Sequence, residues 1–123
     1  MRLVVLESPM AGDVERNRRY LLRCIRDCLA RGESPIASHQ TFAAALDDAD
    51  PAQRDLGIRA GFAWRGVADA TVVYADHGIS SGMQLGVEDA TRERDARVYR
   101  TPFVRHAIEF RKIGAEPGEE TSG

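Results

Sequence analysis

Residues 71–75, Thr-Val-Val-Tyr-Ala, form an unbroken apolar run rich in β-branched side chains. A strand that is apolar on both faces has to be covered on both faces, which is the usual state in a parallel sheet. Asp76-His77-Gly78 then breaks the run, and Ser81 and Gln84 have the spacing of a capping box, which opens a helix. A buried parallel strand, a short polar loop with glycines and a helix N-terminus bring free backbone amides and the positive end of a helix dipole together. That combination suits an anion or a sugar.

The same order occurs at the start of the chain. Leu3 to Leu6 reads as a buried strand, Glu7-Ser8-Pro9-Met10-Ala11-Gly12 as a loop, and Asp13 as the N-cap of a helix from about Val14 to Arg31 that Gly32 stops. Leu21, Ile25, Cys28 and Leu29 form its inner stripe, and its arginines form a solvated face. Glu33 to Ser38 reads as a second strand with His39 just past its end, and Thr41 to Leu46 as a helical turn. Asp50-Pro51-Ala52-Gln53 gives an N-cap, a proline at the first helical position and a glutamine at N3, predicting a helix to about Arg65. Leu56, Ala60, Ala63 and Val67 are its expected buried stripe. Gly57 and Gly61 interrupt that helix at roughly 1 kcal/mol each, which implies close packing against the sheet, a partner helix or a ligand. Met83, Val87 and Ala90 mark the inner side of the next helix. Ala96 to Arg100 reads as a last strand closed by Pro102, Phe103 to Ile113 as a segment with helical periodicity, and 115–123 as a disordered tail.

Alternating strands and helices with short loops predict a doubly wound α/β domain over 1–114 with about four or five parallel strands. Ligands of such sheets bind outside the carboxyl ends of the strands. That rule gathers Ser8 to Gly12, His39 and Asp76 to Gly82 into one crevice whose carboxylate, hydroxyls and amides suit a ribose or a phosphate. Asp76 is the carboxylate this reading places there, as a hydrogen-bonding partner or as a nucleophile or base. The chain's 123 residues are enough for one domain with a real core, and a net charge of −2 gives no global field favouring nucleic acid or a membrane. Cys24 and Cys28, four apart on one helix face, read as small buried hydrophobes in a reducing, cytoplasmic setting. They do not form half of a metal site. The N-terminus carries no signal-peptide pattern, and no stretch has transmembrane length.

Ser8-Pro9-Met10-Ala11-Gly12, then Ala68-Asp69-Ala70-Thr71-Val72-Val73, then Ser81-Gly82-Met83 resemble the nucleoside 2-deoxyribosyltransferase-like superfamily over roughly residues 2–100, most closely its small phage and bacterial members. The resemblance implies a flavodoxin-like three-layer sandwich, a homodimer, no cofactor, and a nucleoside or nucleotide as ligand. Known enzymes of that superfamily cleave or exchange the N-glycosidic bond through a carboxylate that attacks the anomeric carbon.

Carried over residue by residue, the cradle matches at Ser8 to Gly12 and at Ser81-Gly82, with Ser80 and Met83 beside it as further expected binding residues, while the reacting groups do not match. The position of the nucleophilic glutamate, four residues after Gly82, holds Gly86; that of a second functional aspartate holds Gly61; that of a first-strand tyrosine holds Val5. Glycine cannot act as a nucleophile, and Glu88 points about 200° away around the helix. The expectation is a roomier pocket, able to take a larger or cyclic nucleotide. In it a nucleoside, a nucleotide or a nucleotide-derived signalling molecule is held without glycosidic chemistry. The alternatives are an N-glycosidase or deoxyribosyltransferase using Asp76 and His39, and a structural dimer with a relic pocket.

Overall fold

The computed structural model describes residues 1–91 and 102–107. Four parallel strands form one sheet in the order β2-β1-β3-β4: β1 is Arg2–Glu7, β2 Glu33–Ile36, β3 Ala70–Tyr74 and β4 Phe103–Arg105. Four helices connect them: α1 Val14–Ala30, α2 Ser38–Ala43, α3 Pro51–Ala63 with a 3-10 turn Trp64–Gly66, and α4 Ser81–Thr91. The chain leaves β1 in one direction toward β2 and returns on the other side of β1 to β3, so the order of strands reverses between β1 and β3. This is the doubly wound, flavodoxin-like arrangement. In sheets of this kind a crevice lies beyond the ends of the two strands where the order reverses.

Pleating decides which side chains meet which helix. Val4 and Leu6 of β1 and Ala70, Val72 and Tyr74 of β3 share one buried cluster with Tyr20, Leu21, Cys24 and Cys28 of α1. The alternate residues Val5, Glu7, Thr71 and Val73 therefore face the opposite layer, where Arg65 reaches Thr71. Helix α1 starts as expected, with the Asp13 carboxylate accepting from the Arg16 amide at 3.1 Å, and ends at Gly32, whose φ of +78° is left-handed. Its expected stripe shifts, because Leu29 is exposed and Tyr20, Cys24 and Asp27 are buried instead. Asp27 is held inside by partners: the Tyr74 hydroxyl donates to it at 2.6 Å, and Arg31 Nε donates at 3.0 Å. Burial pushes the Cys28 thiol, 3.3 Å from the Tyr74 hydroxyl, up to about 11, so it behaves as the neutral, packed group expected of it.

Three further differences matter for the site. Phe103–Arg105, expected to begin a helical segment, is instead strand β4, paired with β3 from Val72–Phe103 to Tyr74–Arg105. The open edge of β3 supplies hydrogen bonds that no helical periodicity over 103–105 could report. Arg105 then reaches Glu33 with two bonds of 2.7 and 2.9 Å. The buried stripe of α3 is also rotated. Leu56, Ala63 and Val67 are exposed, and the inner line runs Gly57, Gly61 and Arg65. Burying Arg65 turns the helix away from the register its apolar residues imply. Finally, α4 is capped one residue early, with the Met83 amide donating to Ser80 Oγ at 3.2 Å. The expected strand Ala96 to Arg100 and the tail 115–123 lie outside the described residues. No helix among the described residues is long and apolar enough to cross a membrane.

The Glu33–Arg105 pair carries a pH signature. Burial pushes the Glu33 carboxyl up, but the hydrogen bonds and charge of Arg105 outweigh it and leave it below its ordinary 4.5. A carboxyl lowered by folding stabilises the fold above its unfolded value and loses that contribution as pH falls through the folded one. Glu33→Gln is therefore expected to be less stable than the parent by roughly 2 kcal/mol at neutral pH. The gap should close below pH 4.5, which urea unfolding at pH 7 and pH 3 would read.

Candidate functional site

Glu7 is the last residue of β1 and follows Val5 on the face turned toward α3 and α4. Its carboxylate meets Arg65, whose Nη2 donates to Glu7 Oε1 at 2.6 Å. The same guanidinium donates from Nε to Asp89 of α4 at 2.7 Å and from Nη1 to the Thr71 hydroxyl of β3 at 2.9 Å. Only 4% of the Arg65 side chain and 2% of the Asp89 side chain are exposed, so one buried cation ties together β1, β3, α4 and the turn after α3. Two carboxylates share that single cation. Burial pushes the Glu7 carboxyl above its ordinary 4.5; Arg65 opposes the rise, and the charge of Asp89 adds to it.

Gly86 explains how the Glu7 carboxylate fits. A Cβ at Gly86 would fall on Glu7 itself, 2.7 Å from Oε2 and in collision with Cδ and Oε1. The missing side chain on α4 is the space the carboxylate fills. Glycine at the other resemblance position is filled in the same way, since a Cβ at Gly61 would lie 2.6 Å from Ser38 Oγ and 2.9 Å from Ser38 Cβ. The roomier pocket expected from two glycines is not what they produce. Each admits a neighbouring side chain from another element.

Beside Glu7 lies a cleft of about 130 Å³. One wall is apolar, built by Phe42, Leu46, Ile58 and Phe62 from the α2–α3 side and by Met83 and Leu85 from α4. Its polar lining near the strand ends is Glu7, Ser8, Ser38 and Ser80, while Asp48, Gln53 and Arg54 stand toward α3. Of the expected site residues, Ser8, Met10, Ser80, Gly82, Met83 and Gly86 line this cleft. Pro9, Ala11, Gly12, Gly61 and Ser81 do not, and the Ala11 carbonyl is drawn back to α1 by Asn17 at 2.8 Å. His39 is the second residue of α2, after the cleft-lining Ser38.

Asp76 lies outside this cleft, at the end of β3 toward α1 and β4. Its carboxylate accepts from the Ala107 amide at 3.1 and 3.2 Å, and its own amide donates to the Tyr20 hydroxyl at 3.0 Å. His77 beside it packs on the Tyr20 ring and meets Arg16 at 3.1 Å. These contacts give Asp76 the work of anchoring the segment after β4. The cleft carboxylate at the strand ends is Glu7, which the sequence pattern puts at the start of a loop. The signal was available: Glu7 continues the alternation of Val5 and directly precedes the Ser8–Gly12 loop.

Fold and cleft together define a doubly wound α/β protein with a carboxylate-bearing crevice at the point where its strand order reverses. Within that class the chain belongs to the family described as domain of unknown function DUF7768, whose pattern matches residues 2–100. No curated protein and no solved structure matches it.

Proposed function

We propose that this protein binds a nucleoside, a nucleotide or a nucleotide-derived signalling molecule in the cleft, with the sugar over Glu7 and the serines and the base against the apolar wall. The observation that carries the reading is the composition of the cleft, an aromatic and aliphatic wall facing the Glu7 carboxylate and several serine hydroxyls at the ends of parallel strands, with Asp48 toward α3. The volume is close to that of a cavity which holds one benzene ring, roughly 150 Å³. One ring of the ligand is thus enclosed, and the rest lies along the rim by Arg54 and Gln53. The resemblance to the nucleoside 2-deoxyribosyltransferase-like superfamily supports the same ligand class. It also brings a homodimer into the proposal, which sedimentation at micromolar concentration would read. The buried free thiols of Cys24 and Cys28 support a reducing, cytoplasmic compartment.

A second reading, cleavage of the N-glycosidic bond, is favoured by one specific observation. A carboxylate does stand in the cleft beside Gly86, and it is Glu7, not Asp76. Calorimetry with a panel of nucleosides, nucleotides and cyclic nucleotides, followed by chromatography of the mixtures, separates the two. Binding with intact ligand recovered supports the binding protein. Release of free base that Glu7→Gln abolishes would replace it with the glycosidase, and silence across the panel would leave only a structural role.

A further inference from the structure

We infer that Glu7 is the specificity-determining residue of the cleft and that it reads sugar hydroxyls, so that the ligand presents an unphosphorylated, hydroxylated ribose to it. The inference rests on the nucleoside reading above and narrows it to one chemical class.

Glu7 lines the cleft with its side chain 13% exposed, so it is reachable from the ligand side yet largely shielded from water. Both carboxylate oxygens lie against Gly86; Oε1 is engaged by Arg65, and Oε2 has no hydrogen-bond partner among the described residues. A carboxylate oxygen in that state accepts, and hydroxyl hydrogens of a ribose are suitable donors. An acidic side chain on a ribose hydroxyl also excludes a phosphate at the same place, by like charge.

Among the described residues no cation compensates for that exclusion. Arg65, the arginine next to Glu7, is committed through Nε, Nη1 and Nη2 to Asp89, Thr71 and Glu7 and is 4% exposed, so it cannot turn to a phosphate. Arg54, the one basic side chain lining the cleft among the described residues, is exposed on α3, and the acidic Asp48 lines the cleft as well. The lining near Glu7 is thus negative or neutral. The fixed position of Glu7, seated on Gly86 and held by a buried guanidinium, makes the selection geometric as well as electrostatic.

The test is calorimetry on the full chain at pH 7 with adenosine, guanosine, cytidine and uridine, their 2′,3′-dideoxy counterparts and their 3′-monophosphates. The ribonucleoside that binds best is expected to lose roughly tenfold or more in affinity when both hydroxyls are removed. Its monophosphate is expected to bind no more tightly than the nucleoside. In Glu7→Gln, checked for folding by circular dichroism, the ribose-over-dideoxyribose preference should collapse because the dideoxy affinity stays unchanged. Equal affinity for ribose and dideoxyribose in the parent protein would overturn the inference while leaving nucleoside binding in place, and that comparison needs no variant. So would a monophosphate that binds tenfold more tightly, or a preference that survives Glu7→Gln. Failure of every compound to bind would remove the nucleoside reading itself, and this inference with it.

Discussion

Replacing Arg65 with leucine is expected to lower the melting temperature by roughly 10–20 °C. The side chain is 4% exposed and makes three hydrogen bonds, two of them to carboxylates that are themselves largely buried. Removing the shared cation takes from the buried Glu7 and Asp89 carboxylates the guanidinium they have in common. Breaking a buried pair in this way costs about 3–5 kcal/mol, far more than a surface ion pair contributes. The loss should depend on pH, with a definite sign. The Glu7 carboxyl already lies above its ordinary 4.5, through burial and in spite of Arg65. Without Arg65 it is raised further, so folding favours its protonated form, and the variant should recover part of the deficit as pH falls toward 4.5 and Glu7 takes up a proton. Thermal melts of parent and variant at pH 7 and pH 4.5 check both statements. A deficit that stayed constant or widened on acidification would mean that repulsion at Glu7 is not its source.

The second large effect is expected at Gly86. An alanine there brings about 1 kcal/mol of helix propensity, since α4 is helical on both sides of the position. It also places a methyl group on the Glu7 carboxylate, which Arg65 pins and which therefore cannot yield freely. Overpacking against a fixed neighbour costs about 1–3 kcal/mol and outweighs the propensity gain. Gly86→Ala should thus be less stable than the parent in urea unfolding. The signs reverse once the obstacle is gone: Glu7→Ala/Gly86→Ala should be more stable than Glu7→Ala alone. The coupling between the two positions, read from the double-mutant cycle, should exceed about 1 kcal/mol.

Much of the architecture is legible from local pattern. The β-branched run Thr71 to Ala75 and the shorter Leu3 to Leu6 announce buried parallel strands, and Asp13, Gly32, Asp50 and Pro51 punctuate the helices where the structure has them. The loops Ser8–Gly12 and Asp76–Gly82 fall at the carboxyl ends of neighbouring strands for the same reason. The functional corner is hidden by the burial of charge. Apolar periodicity in α3 counts Leu56 and Val67 as inner residues and Arg65 as outer, and the structure reverses both. What reverses them is a partner set drawn from β1, β3 and α4, separated in sequence by as many as 58 residues from Arg65. Local spacing contains no trace of such a set. Glu7 is missed for a related reason: a charged residue at a strand end reads as the start of a loop until the guanidinium that receives it is known. Asp76 was readable as a carboxylate at a strand end. Its side toward α1 and β4 was not, because that depends on the Ala107 amide, brought there by a strand the periodicity had assigned to a helix.

Positions 7 and 86 hold a single volume between them. The Glu7 carboxylate enters it from the strand, and a side chain entering from the helix would collide with it. The order of mutation is thereby constrained. A side chain can be gained at 86 only after position 7 has become small.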